Sequence, residues 1–428
     1  MPYEALQTKQ KFSKRRKQMK KYLALLLALA MIFSLAACGG SDKKDATADG
    51  NKDTAASDIK VGFICLHDEK STYDLNFLNG VDEVKETLGL KDSQVIVKTN
   101  VPEGDECYQA AADLVDQGCD VIFANSFGHE DFMIKAAKEF TDVQFCHATG
   151  TKAHTEKLAN YHNAFASIYE GRYLAGVAAG LKLKAMIDAG EITAKEAKMG
   201  YVGAFTYAEV ISGYTSFFLG AKSIVPEVTM DVQFPGSWYD AVEEKNAAEA
   251  LIARDCVLIS QHADSMGAPS ACEAAKVPNV SYNGSTKDAC PNTFIVSSRI
   301  NWAPYYKYMI ECVMNGKEIA ADWTGGIKEG SVVLTEINDK AAAEGTAAKL
   351  EEVKKAFTDG TVNVFDTANF TVGGKAVAAD HKADVDTDAA FEADTVVVEN
   401  GIFKESKFRS APYFDLRIDG INLLNEKF

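Results

Sequence analysis

Short β-branched runs alternate with helix-period stretches, and the whole alternation occurs twice; no other feature limits the fold of this chain as tightly. The first set of strand candidates covers 59–65, 94–98, 120–124 and 143–147. Between the first two, Phe77, Val81, Val84 and Leu88 recur at helical spacing on one stripe, and Gly118 stands where the next helix should stop. Strands separated by helices cannot pair as hairpins. They form βαβ units, which build a parallel sheet covered by helices on both faces. The pattern restarts at 198–204, 229–233, 256–260 and 279–282, with DAVEEKNAAEALIAR over 240–254 reading as a helix.

Two such sheets, joined by chain crossings near 155–165 and 295–302, predict an α/β chain of the two-lobed type I periplasmic-binding-protein fold: two parallel doubly wound sheets, a hinge and a ligand cleft between them. The length of 428 residues agrees, because one hydrophobic core rarely grows that large. The expected lobes are 59–155 with about 300–328, and 156–299 with about 329–345. The Ala- and Asp-rich remainder, 346–428, is expected to be a peripheral extension, with a hairpin near 370–377 turning at Gly373-Gly374. Ligands of open α/β sheets sit beyond the carboxyl ends of the strands. Chemistry is therefore sought in the loops after Cys65, Ala124, His147, Ala204, Gln233, Ser260 and Tyr282.

Met19-Lys20-Lys21 precedes an uncharged apolar run from Tyr22 to Ala37. That run is short for a bilayer span, which needs about 20 apolar residues, and suits a secretory signal. It ends in Leu35-Ala36-Ala37-Cys38-Gly39, which resembles the bacterial lipobox, so residues 1–37 are expected to be removed (Met19 being an alternative start) and Cys38 to carry a diacylglycerol. Residues 38–58, rich in Gly, Ser, Asp and Lys, read as a flexible tether. The formal net charge is −16, and it falls to −23 without residues 1–37, which carry eight Lys/Arg and one Glu. Such a surface repels phosphate backbones and anionic headgroups, so no nucleic-acid partner is expected and the acyl group must hold the chain at the membrane. The other eight cysteines lack C-x-x-C spacing, and several fall in apolar strand-like runs. They read as buried free thiols.

Five segments carry a family resemblance: Asn100-Val-Pro-Glu-Gly104, Phe123-Ala-Asn-Ser-Phe-Gly128, Phe145-Cys-His-Ala-Thr-Gly150, Tyr169-Glu-Gly-Arg-Tyr-Leu-Ala-Gly176 and Asn301-Trp-Ala-Pro-Tyr-Tyr306. In order and over roughly 60–335, they resemble the BMP (basic membrane protein) lipoproteins, the solute-binding subunits of ABC transporters. The resemblance implies a monomer that captures a purine nucleoside or nucleobase and passes it to permease and ATPase subunits, with no cofactor, metal or catalytic residue. It places Tyr73 and Trp238 on the two faces of the base, where stacking is worth about 1–3 kcal/mol per base; packed core is the alternative for Trp238. Asp74, Ser126, Phe127, Thr149, Asp264, Asn283, Asn301 and Trp302 complete the expected ligand set, although a Ser or Asn after a strand is also a common turn or helix cap. The family pattern has an acidic residue near 283 and a lysine near 301 for ribose, where this chain has Asn283 and Asn301. That departure leaves nucleoside and free base both open.

Two other classes compete. Ala124-Asn-Ser126-Phe-Gly128 between a strand and a helix resembles a nucleophile elbow, with His147 downstream, but the Ser, acid, His order and an oxyanion motif are missing. The seven histidines form no H-E-x-x-H motif or zinc-type spacing, and no Walker A or G-x-G-x-x-G occurs. A surface sensor with the same fold is the second alternative, which neighbouring genes for an ATPase and permeases would exclude.

Overall fold

The computed structural model describes residues 58–386 and 392–426; the signal segment, Cys38 and the tether lie outside the described residues. Strands β1 (Val61–Ile64), β2 (Val95–Lys98), β3 (Val121–Ala124), β4 (Gln144–Ala148) and β5 (Tyr161–Ala166) come first, each followed by a helix or helical turn. Then come β6 (Lys198–Val202), β7 (Thr229–Gln233), β8 (Leu258–Gln261), β9 (Asn279–Tyr282) and β10 (Phe294–Ile300). The chain crosses back to lay down β11 (Asp322–Gly325) and crosses once more for β12 (Val332–Leu334).

These strands form two sheets, ordered β11-β5-β4-β3-β1-β2 and β12-β10-β9-β8-β6-β7. All pairs are parallel except β10 with β12. Central strands β1 and β3 are buried on both faces, as helices above and below require. The stripe helix is Thr72–Leu88, with Ser71 as its N-cap and Gly89 left-handed at its end.

Both expected crossing segments begin as strands. β5 pairs along β4, so the first sheet extends to Ala166, not to 155, and the chain leaves it at Ser167. β10 likewise borders the second sheet before the chain returns through Asn301. The crossings bond to one another, Ser167 N–H to Gly325 O and Asn301 N–H to Ser331 O, both at 2.8 Å. They form one hinge. Beyond it, helix Ile168–Asp188 packs on helix Ala208–Lys222, where Gly176 and Gly220 lie against the backbone of the facing helix and leave no room for a Cβ.

The extension is not peripheral. Short pairs β13 (Lys382–Ala383) with β14 (Thr395–Val396) and β15 (Val398–Glu399) with β16 (Ile402–Phe403) precede β17 (Ile421–Leu423), which adds to the β7 edge of the second sheet. Gly373 and Gly374 both have positive φ and turn a small bridge between Val372 and Lys375, as anticipated. Ser410 donates from N and Oγ to Asp322 Oδ1 on β11, both at 2.8 Å, while Glu405 accepts from Ser212 Oγ at 2.5 Å. One tail thus ties into both sheets. All eight described cysteines are free and buried, with burial raising the thiols it reaches, Cys65 and Cys146 among them.

Glu405 is buried, and loss of solvation lifts its carboxyl from 4.5 to about 8, with Glu209 and Glu170 adding repulsion. A raised carboxyl binds its proton more tightly in the folded state. Its contribution to stability is therefore full below about pH 4.5 and lost as pH climbs towards 8. Melting temperature should fall over this interval, and Glu405→Gln should flatten the fall; an unchanged pH slope in the variant would contradict the assignment.

Candidate ligand cleft

The carboxyl ends of the two sheets face a common gap, with about 480 Å³ of space, its open mouth included. Its walls are Leu66, His67, Tyr73, Asp74, Ser126, Phe127, Thr149 and Phe165 from the first sheet's side, and Glu209, Trp238, His262, Asp264 and Tyr282 from the second. No Lys or Arg lines it.

On the first side, Asn125 organises the wall. Its Oδ1 accepts from Leu66 N–H at 3.0 Å, its Nδ2 donates to Asp74 Oδ1 at 2.7 Å, and its carbonyl accepts from Tyr73 Oη at 2.7 Å. Asp74 Oδ1 also accepts from His67 N–H at 3.1 Å. Asp74 is buried in the first helical turn, where the positive end of the helix dipole favours a carboxylate. Tyr73 rests edge-on against Phe77, at 4.8 Å between centroids, and lines the gap. Thr149 adopts φ 65°, which is costly for a β-branched residue and typical of positions held by function.

On the second side, Trp238 sits half-buried in the loop after β7, packed edge-on to Phe205 at 5.0 Å. Its carbonyl accepts from Asp264 N–H at 2.9 Å. Buried Glu244 accepts from Asp240 N–H at 3.0 Å and Ser265 N–H at 3.1 Å, pinning the Trp238 and Asp264 loops together; burial lifts its carboxyl to about 7. Asp264 is itself buried, and that burial, followed by Glu244, Asp74 and Glu209, holds its carboxyl well above the usual range.

The walls also touch. Thr72 Oγ1 donates to Asp264 O at 3.0 Å, Asn76 Nδ2 to Asn283 Oδ1 at 3.2 Å, and Asn283 Nδ2 to Asp264 Oδ1 at 3.0 Å. At the rim Phe127 stacks on Tyr207 at 5.1 Å and His67 approaches Tyr239 at 5.6 Å. These are contacts of a closed cleft.

Of the expected residues, Tyr73, Asp74, Ser126, Phe127, Thr149, Trp238 and Asp264 line the gap. Asn283 stands behind the lining, turned to Asn76 and Asp264. Asn301 and Trp302 are elsewhere: Asn301 caps Ala303 N–H at 3.1 Å, and Trp302 is 1% exposed, stacked on Phe77 at 4.4 Å in the core. Trp302, expected in the ligand set, instead opens helix Ala303–Met314, whose apolar face packs inward.

The hydrolase geometry fails. Ser126 Oγ donates to Glu103 at 2.5 Å, while His147 Nε2 meets the Ser126 carbonyl at 2.6 Å, so no imidazole reaches the hydroxyl. Burial lowers His147 to about 4. Sequence reasoning missed His262, Tyr282 and Phe165. His262 shares its loop with Asp264, the one signal that could have found it.

A family model described as "ABC transporter substrate-binding protein PnrA-like" (Bmp) matches residues 65–364. The chain belongs to this family. Its members are substrate-binding proteins of ABC transporters, not enzymes, so this Bmp protein works outside the cytoplasm with a small-molecule ligand and with permease and ATPase partners. A purine-binding protein of Brucella abortus is 32% identical over 308 residues, covering 69% of this chain and 82% of that one. A Haloferax volcanii protein whose name assigns it glucose binding in an ABC transporter is 32% identical over 225 residues, 53% of this chain and 54% of that one. A nucleoside-binding protein, BmpA, of Lactococcus lactis is 23% identical over 388 residues, covering 89% and 97%. Among solved structures, a solute-binding protein of an ABC transporter system from Conexibacter woesei superposes with TM-score 0.58 at 18% identity, covering 71% of this chain and 98% of that one. It shares the fold.

Because Trp302 is core, Trp302→Ala should cost about 3–5 kcal/mol of stability. Denaturant unfolding would register this as a lower midpoint; an unchanged midpoint would return Trp302 to consideration as a cleft residue.

Proposed function

We propose that this Bmp-family protein captures a purine nucleoside or nucleobase in the cleft and delivers it to a membrane permease, tethered as a monomer through diacylglycerol on Cys38. The observation that carries the reading is the composition of the lining. Tyr73 on one wall and Trp238 on the other supply flat apolar rings, and Asp74, Glu209 and Asp264 supply acceptors with no Lys or Arg among them. A planar heterocycle with N–H donors suits such a site; a phosphate does not. The purine- and nucleoside-binding names of two relatives support it.

Ligand stacking on one wall and bonding to the other would favour the closed state through differential affinity, which the permease then recognises. Asp74 and Asp264 face the gap from opposite sides, and a donor-rich ligand between them would relieve their repulsion on closure. A surface sensor would use the same steps with a different partner.

Calorimetric titration against purine bases, purine nucleosides and glucose tests the reading. Binding of a purine is expected, and Trp238→Ala should weaken it by about 1–3 kcal/mol. Tight binding of glucose with no heat from any purine would overturn it.

A further inference from the structure

Arg172 is fully buried on helix Ile168–Asp188, where an unmet N–H is costly; its Nε meets no acceptor, so the terminal nitrogens carry its hydrogen bonds. Nη2 donates to Tyr201 Oη and Ser260 Oγ, both at 3.0 Å, and to Gln261 O at 3.3 Å; the guanidinium also lies 4.9 Å from the centre of the Tyr282 ring. From Tyr201 the chain of contacts continues outward. Tyr201 Oη lies 3.2 Å from His262 Nδ1, and His262 Nε2 lies 2.8 and 2.9 Å from the two oxygens of Glu209.

Chemistry fixes the direction of this chain. A guanidinium can only donate, so the Tyr201 oxygen accepts and its own proton is free to point at His262. The Glu209 carboxylate can only accept, so His262 carries hydrogen on Nε2, and in the neutral imidazole Nδ1 then accepts from Tyr201. Arg172 and Glu209 are the two ends of one polarised relay. It runs from the interior of the second sheet to the cleft, where the Glu209 side chain is 18% exposed and His262 only 3%. Glu209 also lies in the first turn of helix Ala208–Lys222, aligned with the helix dipole.

We infer that Glu209 is a ligand-reading acceptor that takes O–H or N–H donors of an uncharged solute, and that Arg172, Tyr201 and His262 are positioning residues that hold it in register. This rests on the reading of the cleft as the ligand site and deepens it. The carboxylate is held on one side by His262, leaving its remaining lone pairs for the gap. With Asp74 on the facing wall, it disfavours any solute bearing phosphate.

The test combines titration calorimetry with nitrogen NMR of His262. Glu209→Gln should weaken the solute that the native protein binds from the purine and glucose panel at least tenfold, with melting temperature retained. A nucleoside 5′-monophosphate should bind the native protein at least a hundredfold more weakly than its nucleoside. Tyr201→Phe should weaken binding less, about three- to tenfold, and shift the His262 Nδ1 resonance. Should that variant fail to fold, His262→Gln, which keeps a donor towards Glu209, replaces it and is expected to retain more affinity than His262→Ala. The tautomer is read on unliganded native protein, where hydrogen on Nε2 is expected; hydrogen on Nδ1 alone would overturn the relay whatever the solute. Affinity of Glu209→Gln within twofold of native would overturn the acceptor role. A native protein that binds glucose but no purine would sink the purine reading and leave Glu209 to be judged on glucose.

Discussion

A guanidinium without solvent dictates much of how the second half of this molecule is built. Arg172 enters from the helix that follows the hinge, and its bonds reach strand ends on β6, β8 and β9. Stripping its terminal nitrogens of acceptors would cost several kcal/mol, so Tyr201, Ser260 and Gln261 must keep their places. Those same strand ends carry the loops that form one wall of the cleft. Polar satisfaction in the core and the geometry of the ligand wall are thus one constraint, and the hinge helix is its anchor.

The facing wall is organised by a neutral amide. Asn125 bonds Leu66, Tyr73 and Asp74 together, orienting a ring and a carboxylate with one side chain. Between the walls, Thr72, Asn76, Asp264 and Asn283 form a short bridge that exists only when the sheets approach. Each such bond is worth about 1 kcal/mol net, enough to bias closure yet weak enough to release it. The tail adds a second connection by joining β7 on one sheet and bonding Asp322 on the other. It lies beyond residue 364, where the family match ends.

Periodicity in the chain carried most of this fold. β-branched runs at 95–98 and 121–124 and the Phe77, Val81 and Val84 stripe need only local pattern to be recognised. β5 falls where a crossing is expected; His162 and Asn163 interrupt its apolar run, yet both are buried, His162 bonded to Gln144 on β4 and Asn163 to Glu130 on the helix after β3. In the cleft, Ser126, Thr149 and Asp264, close after strand ends, were legible from topology. His262, Tyr282 and Glu209 depend on contacts between segments far apart in sequence, and Trp302 lies in the core; inward-facing and cleft-facing aromatics look alike two residues past a strand. The ribose question follows from the same limit: Asn283 sits at a strand end as expected, but its side chain serves the bridge.

The central claim is that a flat solute is held between Tyr73 and Trp238 with its donors turned to the carboxylates of both walls. A crystal structure of the protein saturated with a purine nucleoside tests this most directly. The account predicts density for the heterocycle between those two rings, within hydrogen-bond distance of Asp74, Glu209 or Asp264. A saturated protein with an empty cleft and the nucleoside bound elsewhere would contradict it.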